Sequence, residues 1–473
     1  MTRNEYLYEL KLLEKTFAAE SFVFDNVDWW VVIRIQIASQ LHSQLTSKTD
    51  DTNIERIEEI VKITEITLKD KAKFILYKNK FKYSKKKVAV FTNSAHMAPV
   101  DSQGKKINQY TEPFLKYFKI LNLSNDVFDL SLDKLNIENY SFFKMCYYQS
   151  IAKKFNNDIE FRGKLRKLSA YFEEKKLFSF SVYNLLKKTI VNNQSTYLTY
   201  HLFFKNSKYK AILFYCYYSN VNMAINRAAK NNGIKTIEYQ HSLLSDYHYA
   251  YARWTTRIVK CEDFFPSSIW VWANEFKLLV ESNFKMLKSI EVVDGGNVLH
   301  TSLDLISETN TINNIPPHRV KVLITLQGLG LPEFIKKVMV NDSNIFWYVR
   351  FHPRYPMDKS EILKLIDLKN NNIDIKIANE APLQELFQYV DYHITSFSGC
   401  AIEAEYFNVK NLIFGEDGYD SYKSKIETGV YKFIDNEDVL KSIFDKDKYL
   451  TEVKSTNFDN RTKEVVKRLF DVN

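Results

Sequence analysis

The chain has 473 residues, of which 45% are hydrophobic and 26% charged, and its formal net charge is +9. This length exceeds what one hydrophobic core organises and the composition excludes extensive disorder, so we expect a folded protein of two or three domains. The mild basic excess fits an anionic partner such as a nucleotide diphosphate, an anionic glycan, a phospholipid surface or a nucleic acid, and evenly spread lysines would give the same balance.

Cysteine spacing and hydropathy indicate the cellular compartment and argue against several classes of site. The four cysteines, Cys146, Cys216, Cys261 and Cys400, form no CxxC pair, which argues against a zinc ribbon or a redox motif and favours a reducing cytoplasm. Residues 1–15 are polar and charged, and no apolar run reaches the roughly 18 residues of a membrane span, so neither a signal peptide nor a transmembrane helix is expected. We expect a cytoplasmic protein, with peripheral contact at the inner face of the cytoplasmic membrane left open.

The first part of the chain is predicted to be helical. Apolar residues recur at helical spacing in 7–17, and further helices are predicted at 29–45 and 54–77. A short apolar run at 87–91 follows a lysine cluster and predicts the first strand. Several amphipathic helices are expected between 100 and 200.

Strands then alternate with helices in two blocks. The first block predicts strands at 211–215, 236–239, 269–272 and 290–293, with a helix that begins at Ser219 or Asn220 and is closed by Gly233. Residues 303–319 are polar and contain Pro316-Pro317. The second block predicts strands at 320–325, 345–351, 373–377, 392–395 and 411–414, and helices at 382–389, 399–407 and 462–472.

This alternation predicts the α/β class with parallel, doubly wound sheets. Two Rossmann-like domains with a cleft between them follow from the two blocks. We place one domain at 1–305 with N-terminal helical additions, a linker at 306–319, a second domain at 320–458, and a C-terminal helix at 459–473.

Two groups of candidate residues lie at predicted strand ends of the second block, where parallel sheets bind ligands. Arg350-Phe-His-Pro-Arg354 brings Arg350 and His352 to the sheet edge, and Pro353 stops the strand. An arginine and a histidine can both donate hydrogen bonds to a phosphate. A purely structural histidine at a strand end is the alternative.

The other group is Thr395-Ser-Phe-Ser-Gly399, directly before a predicted helix. The hydroxyls of Ser396 and Ser398 and the N–H groups of a helix start can bind an anion, although plain N-capping by either serine is the alternative. Glu403 lies one turn further on, where a carboxylate could accept hydrogen bonds from ribose hydroxyls.

Taken together, the His-Pro pair, the Ser-x-Ser pair about forty residues later and the following glutamate resemble the donor domain of GT-B transferases that build bacterial surface polymers. That group includes bacterial sialyltransferases, capsule Kdo transferases and teichoic-acid polymerases. The resemblance covers roughly 205–455 and implies that His352, Ser396 and Ser398 hold the donor phosphate and that Glu403 holds the ribose. It also implies that the Pro382 segment meets the base and that Gly328 and Gly330 form a loop near the phosphate.

The resemblance places the catalytic base in the first domain. Inverting transfer requires a carboxylate or a histidine that accepts the proton of the acceptor hydroxyl. Asp101, in Asp101-Ser-Gln-Gly104, is the first candidate, followed by Glu112 and His241; His96 is a further rival. For each of these candidates, a loop residue without a catalytic role is an equally good interpretation. In the segment that ends at His241, Ser242 stands where related proteins carry a glycine.

We therefore expect an inverting glycosyltransferase that moves a sugar from a nucleotide-sugar, with CMP-sugars favoured, to an oligosaccharide or lipid-linked glycan acceptor of a capsule or lipopolysaccharide. No cofactor, no metal and no nucleic-acid partner are expected; Asp445-Lys-Asp447 matches a DxD metal pattern but does not follow a strand. The alternatives are a CDP-alditol phosphotransferase of the same fold and a non-catalytic scaffold in polysaccharide assembly.

Overall fold

The computed structural model describes residues 3–46, 67–79, 84–93, 97–100, 106–130, 140–205, 207–300, 312, 320–327, 330–352, 372–446 and 461–470. The chain divides into two compact units. Unit 1 comprises Met1–Ala95, Phe114–Asn297 and Arg461–Asn473, and unit 2 comprises His96–Pro113 and Val298–Asn460.

The described strands and helices are numbered in chain order. The strands are β1 (Val23–Phe24), β2 (Val27–Asp28), β3 (Val88–Thr92), β4 (Met97–Val100), β5 (Lys106–Asn108), β6 (Asn125–Asp129), β7 (Ala211–Tyr215), β8 (Lys235–Tyr239), β9 (Ser268–Val271), β10 (Glu291–Asp294), β11 (Val320–Thr325), β12 (Ile345–Arg350), β13 (Ile373–Asp374), β14 (Tyr392–Thr395), β15 (Lys410–Ile413) and β16 (Lys432–Phe433). The helices are α1 (Arg3–Thr16), α2 (Trp30–Thr46), α3 (Leu68–Asn79), α4 (Glu112–Ile120), α5 (Tyr140–Asn157), α6 (Ile159–Glu174), α7 (Val182–Phe204), α8 (Asn220–Lys230), a 3₁₀ segment (Thr256–Phe264), α9 (Asn274–Asn283), α10 (Glu333–Asn341), α11 (Lys376–Glu380), α12 (Leu383–Tyr389), α13 (Cys400–Glu405), α14 (Glu416–Ser421), α15 (Lys423–Glu427), α16 (Glu437–Lys446) and α17 (Arg461–Leu469).

Unit 1 is built on a six-stranded parallel sheet in the order β10-β9-β8-β7-β3-β6. The central strand β7 is buried along its whole length, as expected for a sheet covered on both faces. Helix α8 begins where the Ser219 hydroxyl accepts the Asn222 N–H at 3.1 Å, and the chain after its end turns at Gly233, whose φ is +70°. The predicted strand–helix alternation of this block is confirmed.

Unit 2 contains a second six-stranded parallel sheet in the order β13-β12-β11-β14-β15-β16. Apolar side chains of β11, β12 and β14 form buried clusters on both faces, with helices α10 and α16 on one face and α12 on the other. The predicted fold class, α/β with two Rossmann-like parallel sheets, is confirmed.

The division into units differs from the predicted domains at two places. The terminal helix α17, predicted as a separate element, belongs to unit 1, since the Thr462 hydroxyl donates to the Gly295 carbonyl at 2.7 Å and Phe470 packs edge-on against Phe118 at 4.8 Å. Residues 96–113, assigned to the first domain, group with unit 2. The predicted linker at 306–319 lies outside the described residues except for Ile312.

One secondary-structure prediction was wrong. The predicted strand at 373–377 is only two residues long and passes into α11, because the Asp374 carboxylate accepts the Ala378 N–H at 3.1 Å and favours a helical turn. The several helices predicted between 100 and 200 are confirmed as α4 to α7, and the same region also contains strands β5 and β6, which were not predicted. None of the four cysteines forms a disulfide. Within the described ranges, no helix combines the length and the apolar character needed to span a membrane.

Candidate functional site

The strand order of unit 2 creates a switch point between β11 and β14. From β11 the chain proceeds outward to β12 and β13, and it then returns to β14 on the other side. The loops that follow β11 and β14 therefore leave in opposite directions, which opens a crevice at the carboxyl end of the sheet. Thr325 and Thr395 end these two strands, and Arg350 ends β12 beside Thr325.

A buried polar network forms the base of this crevice. The Thr325 hydroxyl lies 2.8 Å from His393 Nε2, and the Thr395 hydroxyl donates to the Thr325 carbonyl at 3.0 Å. His393 Nδ1 lies 2.8 Å from Asn411 Oδ1. Burial lowers the pKa of His393 to about 4, so this histidine is neutral at physiological pH. The network fixes the two strand ends without adding charge.

The loops above this network are tied to each other. The side-chain carbonyl of Gln327, after β11, accepts the Phe397 N–H at 3.1 Å. Ser396 is buried, and the Ser398 hydroxyl accepts the N–H of Cys400, the first residue of α13, at 3.3 Å. Tyr422 donates its hydroxyl hydrogen to the Ser398 carbonyl. The N-cap position of α13 is Gly399, so neither predicted serine occupies it.

Gly418 is required by close packing behind Ser396. A Cβ atom at position 418 would lie 2.8 Å from the Ser396 carbonyl oxygen and 2.7 Å from a methyl group of Ile413. Such approaches are shorter than van der Waals contact, so only glycine fits without moving the Ser396 backbone. The segment from Gly415 to Gly418 therefore supports the serine loop, a role that the sequence analysis did not assign.

Arg350 connects the end of β12 with the segment before Pro382. Its Nη1 donates to the carbonyls of Ala378 at 2.8 Å and Ala381 at 2.7 Å, and burial lowers its pKa while the nearby Cys400 and Glu403 oppose that shift. The guanidinium therefore lies within electrostatic range of Glu403. The structure gives Arg350 a positioning role that the sequence did not show.

Glu403 is contacted from two directions. The side-chain amide of Gln384 donates to Glu403 Oε2 at 3.4 Å, and His300 Nε2 lies 3.3 Å from the same oxygen. His300 is fully buried and stacks on Tyr406 with a centroid distance of 4.8 Å and an interplanar angle of 13°. Its ring nitrogens lack hydrogen-bond geometry with any described group, so its contact with Glu403 is a close approach and not a hydrogen bond. His300 and Gln384 both approach Glu403 through Oε2.

The remaining predicted residues of unit 2 fall into two groups. His352 lies two residues beyond β12 and is half-buried, and Pro382 directly precedes α12. Gly330, in the loop after β11, has φ of +78°, which favours glycine. Gly328 and Pro353 lie outside the described residues, as does Asp447 of the DxD pattern. The described part of the chain contains no group of three or more His, Cys, Asp or Glu side chains placed to hold a metal ion.

The corresponding edge of unit 1 has its switch point between β3 and β7. Tyr217 and Tyr218 follow β7 here and His241 follows β8, so this edge carries tyrosine and imidazole rings that the serine loop of unit 2 lacks. The Tyr218 hydroxyl lies 3.4 Å from Nε2 of both His241 and His248. His248 Nδ1 accepts the Ala250 N–H at 3.2 Å.

This arrangement assigns the ring proton of His248. Burial, together with the charges of His241 and His42, lowers the pKa of His248 to about 3, so His248 is neutral. Because its Nδ1 accepts a hydrogen bond, its proton lies on Nε2 and points to Tyr218. His241, one of the three predicted bases, has its Nε2 3.4 Å from the same Tyr218 hydroxyl.

A buried carboxyl group lies beside this cluster. Glu238 in β8 accepts the Tyr217 N–H at 2.8 Å and the Tyr251 hydroxyl at 2.5 Å, and burial raises its pKa to about 8. Tyr251 in turn contacts His248 with a centroid distance of 4.7 Å. Of the other predicted bases, Glu112 is the first residue of α4, and Asp101 lies outside the described residues, as does His96.

The loop that carries Tyr249 and Tyr251 is held by the N-terminal helices. Arg34, fully buried in α2, pairs with Glu14 at 2.6 Å and donates to the Tyr249 carbonyl at 2.7 Å. It also donates to the carbonyls of Ala252 and Arg253, and its guanidinium lies 3.9 Å from the ring centre of Trp254. The predicted helical additions therefore support the edge of the first sheet.

The sequence analysis missed Gln327, Gln384, His300, Glu238 and Arg34. Arg34 carries a sequence signal, since an arginine inside an otherwise apolar helix requires a partner. Gln327 could be placed from its position directly after a predicted strand. His300 and Gln384 lie 103 and 19 residues from Glu403 and share no local pattern with it.

Comparisons with known proteins give the following results. No family model matches the chain, and no curated protein matches its sequence. Among solved structures, UDP-N-acetylglucosamine 2-epimerase from Methanocaldococcus jannaschii is 12% identical with a TM-score of 0.48 over 82% of this chain and 100% of that chain. The 2-epimerase from Rickettsia bellii is 10% identical with a TM-score of 0.45 over 82% and 96%. A UDP-forming α,α-trehalose-phosphate synthase from Burkholderia vietnamiensis is 9% identical with a TM-score of 0.39 over 82% and 96%. Function is therefore argued from the chain's own residues.

Proposed function

We propose that this chain is a glycosyltransferase that takes a sugar from a nucleotide-sugar and transfers it, with inversion, to a bacterial surface glycan. The observation that carries the proposal is the switch point of unit 2. It combines an uncharged network of buried hydrogen bonds at its floor, two serines separated by one residue before a helix, and a carboxylate that Gln384 and His300 both approach through Oε2. A nucleotide needs donors for its phosphates and an acceptor for its ribose hydroxyls, and this edge provides both.

Each residue has a defined part in the proposal. Ser396, Ser398 and His352 donate to the phosphate that leaves with the bonding electron pair, and no metal is needed for that neutralisation. Glu403 Oε1 accepts from the ribose, since both protein contacts converge on Oε2. The Pro382 segment, held by Arg350, meets the base. A CMP-sugar is the favoured donor because of the resemblance of the His-Pro and serine motifs.

The base that removes the proton of the acceptor is proposed from the same three residues as in the sequence analysis. Asp101 remains the first candidate, followed by Glu112 and His241; the first two group with unit 2 and His241 with unit 1. His241 lies at the carboxyl edge of the unit 1 sheet with its Nε2 3.4 Å from the Tyr218 hydroxyl, and a neutral imidazole there would be able to accept the proton. In the reaction, the acceptor oxygen attacks the anomeric carbon, the bond to the phosphate oxygen breaks, and the base takes the hydroxyl proton.

The test is a thermal-shift screen of the full chain against CMP, CDP, UDP, GDP and their sugar conjugates. A ligand at about 100 times its Kd stabilises the folded state that binds it by about 2.7 kcal/mol, which corresponds to several degrees in Tm. We expect a shift with a cytidine nucleotide. We also expect Glu403→Gln to weaken binding on the order of tenfold or more, because a hydrogen bond to a charged group contributes about 1.5–3 kcal/mol.

The control for Glu403→Gln is Glu427→Gln, an exposed carboxylate in the same unit, which should bind nucleotide like the wild type. His352→Ala should also reduce the shift. Stabilisation only by CDP-glycerol or CDP-ribitol would support the phosphotransferase instead. If no nucleotide raises Tm, or if Glu403→Gln and His352→Ala both bind like the wild type, the proposed donor site is wrong.

A further inference from the structure

Helix α3 packs against described residues of unit 1 through the face that carries Phe74 and Tyr77. Phe74 packs edge-on against Phe143 and Tyr147 of α5 at 5.1 and 5.4 Å, and Tyr77 packs against Phe142 at 5.6 Å. A capping box precedes the first turn of the helix. The Asp70 carboxylate accepts the Thr67 N–H, and the Thr67 hydroxyl accepts the Asp70 N–H. Its anchoring face and its start are therefore well defined.

The opposite face of α3 exposes apolar side chains. Ile75 is 62% exposed and Leu76 is 49% exposed, and Ala72 lies exposed beside them. At about 100° per residue, these three positions point away from the face that holds Phe74 and Tyr77. Ile75 and Leu76 are neighbours in the chain and together form a small apolar strip on this face.

Lysines flank this apolar strip on both sides. Lys71 and Lys78 lie along one side of the helix and Lys69 along the other, as their helical angles require. Lys73 belongs to the anchoring face, since its ammonium group lies 5.2 Å from the ring centre of Tyr77 and 5.0 Å from that of Phe142. Asp70, the one acidic residue of the helix, is engaged with Thr67 at the helix start. The outward surface of α3 is thus a narrow apolar strip between two cationic borders.

We propose that this surface docks the protein on an anionic lipid membrane. An interfacial helix lies parallel to the bilayer, inserts its aliphatic residues at the headgroup boundary and directs its flanking lysines to the lipid phosphates. Lysine stems also allow the ammonium groups to reach outward while the apolar strip goes deeper. The proposal is independent of the function assigned to unit 2.

Charge and shape favour lipid over other occupants. A nucleic acid would use the lysines but leave Ile75 and Leu76 in water. An acidic protein groove would more naturally match lysines on one side of a helix, because two-sided flanking suits a planar anionic surface. The exposed strip is also convex and short, which fits shallow insertion better than burial in a groove.

The test measures binding of the full chain to vesicles by flotation. Vesicles of phosphatidylcholine alone are compared with vesicles that also contain phosphatidylglycerol, at about 0.1 M and about 0.5 M salt, where the Debye length falls below 10 Å. We expect binding only to the anionic vesicles and weaker binding at the higher salt. Equal binding to both lipid compositions would contradict the proposal. The absence of binding to anionic vesicles at the lower salt would contradict it as well.

Two sets of variants separate the apolar and the cationic parts. Ile75→Ser with Leu76→Ser should reduce the partition by at least about tenfold. Lys69→Gln with Lys71→Gln and Lys78→Gln should reduce it on the order of 100-fold, since each lysine near an anionic surface contributes about a factor of five. The matched controls are Val259→Ser with Leu278→Ser, and Lys260→Gln with Lys285→Gln and Lys288→Gln, all at exposed positions of unit 1. Controls that lose binding as much as the α3 variants would overturn the assignment to α3.

Tryptophan fluorescence measures the insertion of α3 into the membrane directly, without a variant that no longer binds vesicles. Leu76→Trp should show a blue-shifted emission and quenching by brominated lipid when anionic vesicles are added, and Leu278→Trp should show neither. Heparin binding without vesicle binding would identify the lysines as a site for a polyanion and would reject a membrane as the partner. An unchanged emission from Leu76→Trp on bound vesicles would also reject α3 as the inserted element.

Discussion

The carboxyl edges of the two parallel sheets are stabilised in different ways. In unit 2, the edge is held by hydrogen bonds between the neighbouring strands β11 and β14 and the loops that follow them. Examples are the bonds of Thr395 with Thr325 and of Phe397 with Gln327. In unit 1, the edge is a cluster of tyrosines and histidines whose loop is held by Arg34, 215 residues away from Tyr249. The same sheet architecture thus supports a small, hydroxyl-rich edge in one unit and an aromatic edge in the other.

This difference indicates that the N-terminal helices stabilise the unit 1 edge. It also predicts which kind of substitution should destabilise each edge. Unit 1 should lose its edge when a distant buried contact is removed, whereas unit 2 should be sensitive to local crowding. The predictions below test this contrast, beginning with the largest effect.

Arg34→Ala should destabilise unit 1 by about 3–5 kcal/mol, because it leaves the Glu14 carboxylate and three loop carbonyls buried without their donor. Urea unfolding followed by tryptophan fluorescence measures this effect. Of the six tryptophans, Trp347 alone belongs to unit 2, so the signal reports mainly on unit 1. Nucleotide binding by unit 2 should persist.

Lys11→Ala, at an exposed position of α1, provides the control and should change stability by less than about 0.5 kcal/mol. A second variant, Arg34→Met with Glu14→Leu, removes the ion pair but leaves the loop carbonyls without donors. If this double variant is as stable as the wild type, Arg34 does not hold the loop, and the contrast between the two edges fails.

Glu238→Gln should change how the stability of unit 1 depends on pH. The folded pKa of about 8 exceeds the ordinary value of 4.5, so the folded state favours the protonated carboxyl, and wild-type stability should fall as pH rises between these values. Glutamine keeps the acceptor for Tyr217 and Tyr251 but cannot ionise. Near pH 9 the variant should therefore be more stable than the wild type, on the order of a few kcal/mol.

His248 acts in the opposite direction at lower pH. Its folded pKa of about 3 lies below the ordinary 6.5, so its contribution to stability is lost as pH falls through that window. Unfolding measured between pH 6.5 and about 9 therefore isolates Glu238. Glu174→Gln, at an exposed position, is the control and should show the wild-type slope. A wild-type slope for Glu238→Gln would mean that Glu238 ionises normally in the folded state.

The sequence predicted the unit 2 edge better than the unit 1 edge for a physical reason. Strands β11 and β14 were predicted with their observed bounds, because short apolar runs bounded by polar residues leave little ambiguity. The edge strand β6 was missed, since Asn125-Asp-Val-Phe-Asp129 has few apolar residues and gains its pairing only from β3.

Side-chain contacts between distant segments were beyond prediction from one sequence. Ser396, Ser398 and Glu403 lie within eight residues and could be grouped by local spacing. His300 reaches Glu403 only through the folded chain, and the contact of Gly418 with Ser396 depends on how two loops cross. The local part of the site was therefore accessible, and the groups that support it required the structure.

Two glycine substitutions should give the smallest effects, with opposite signs. Gly418→Ala should destabilise unit 2 by about 1–3 kcal/mol, because the new Cβ would overlap the Ser396 carbonyl and an Ile413 methyl group. It should also weaken nucleotide binding by displacing Ser396. Gly163→Ala, in the middle of α6 with open space around its Cβ, should stabilise unit 1 by about 0.5–1 kcal/mol and leave nucleotide binding unchanged. Urea unfolding and the thermal-shift titration measure both. Wild-type nucleotide affinity in Gly418→Ala would show that the serine loop tolerates crowding, and the proposed dependence of unit 2 on local packing would then be wrong.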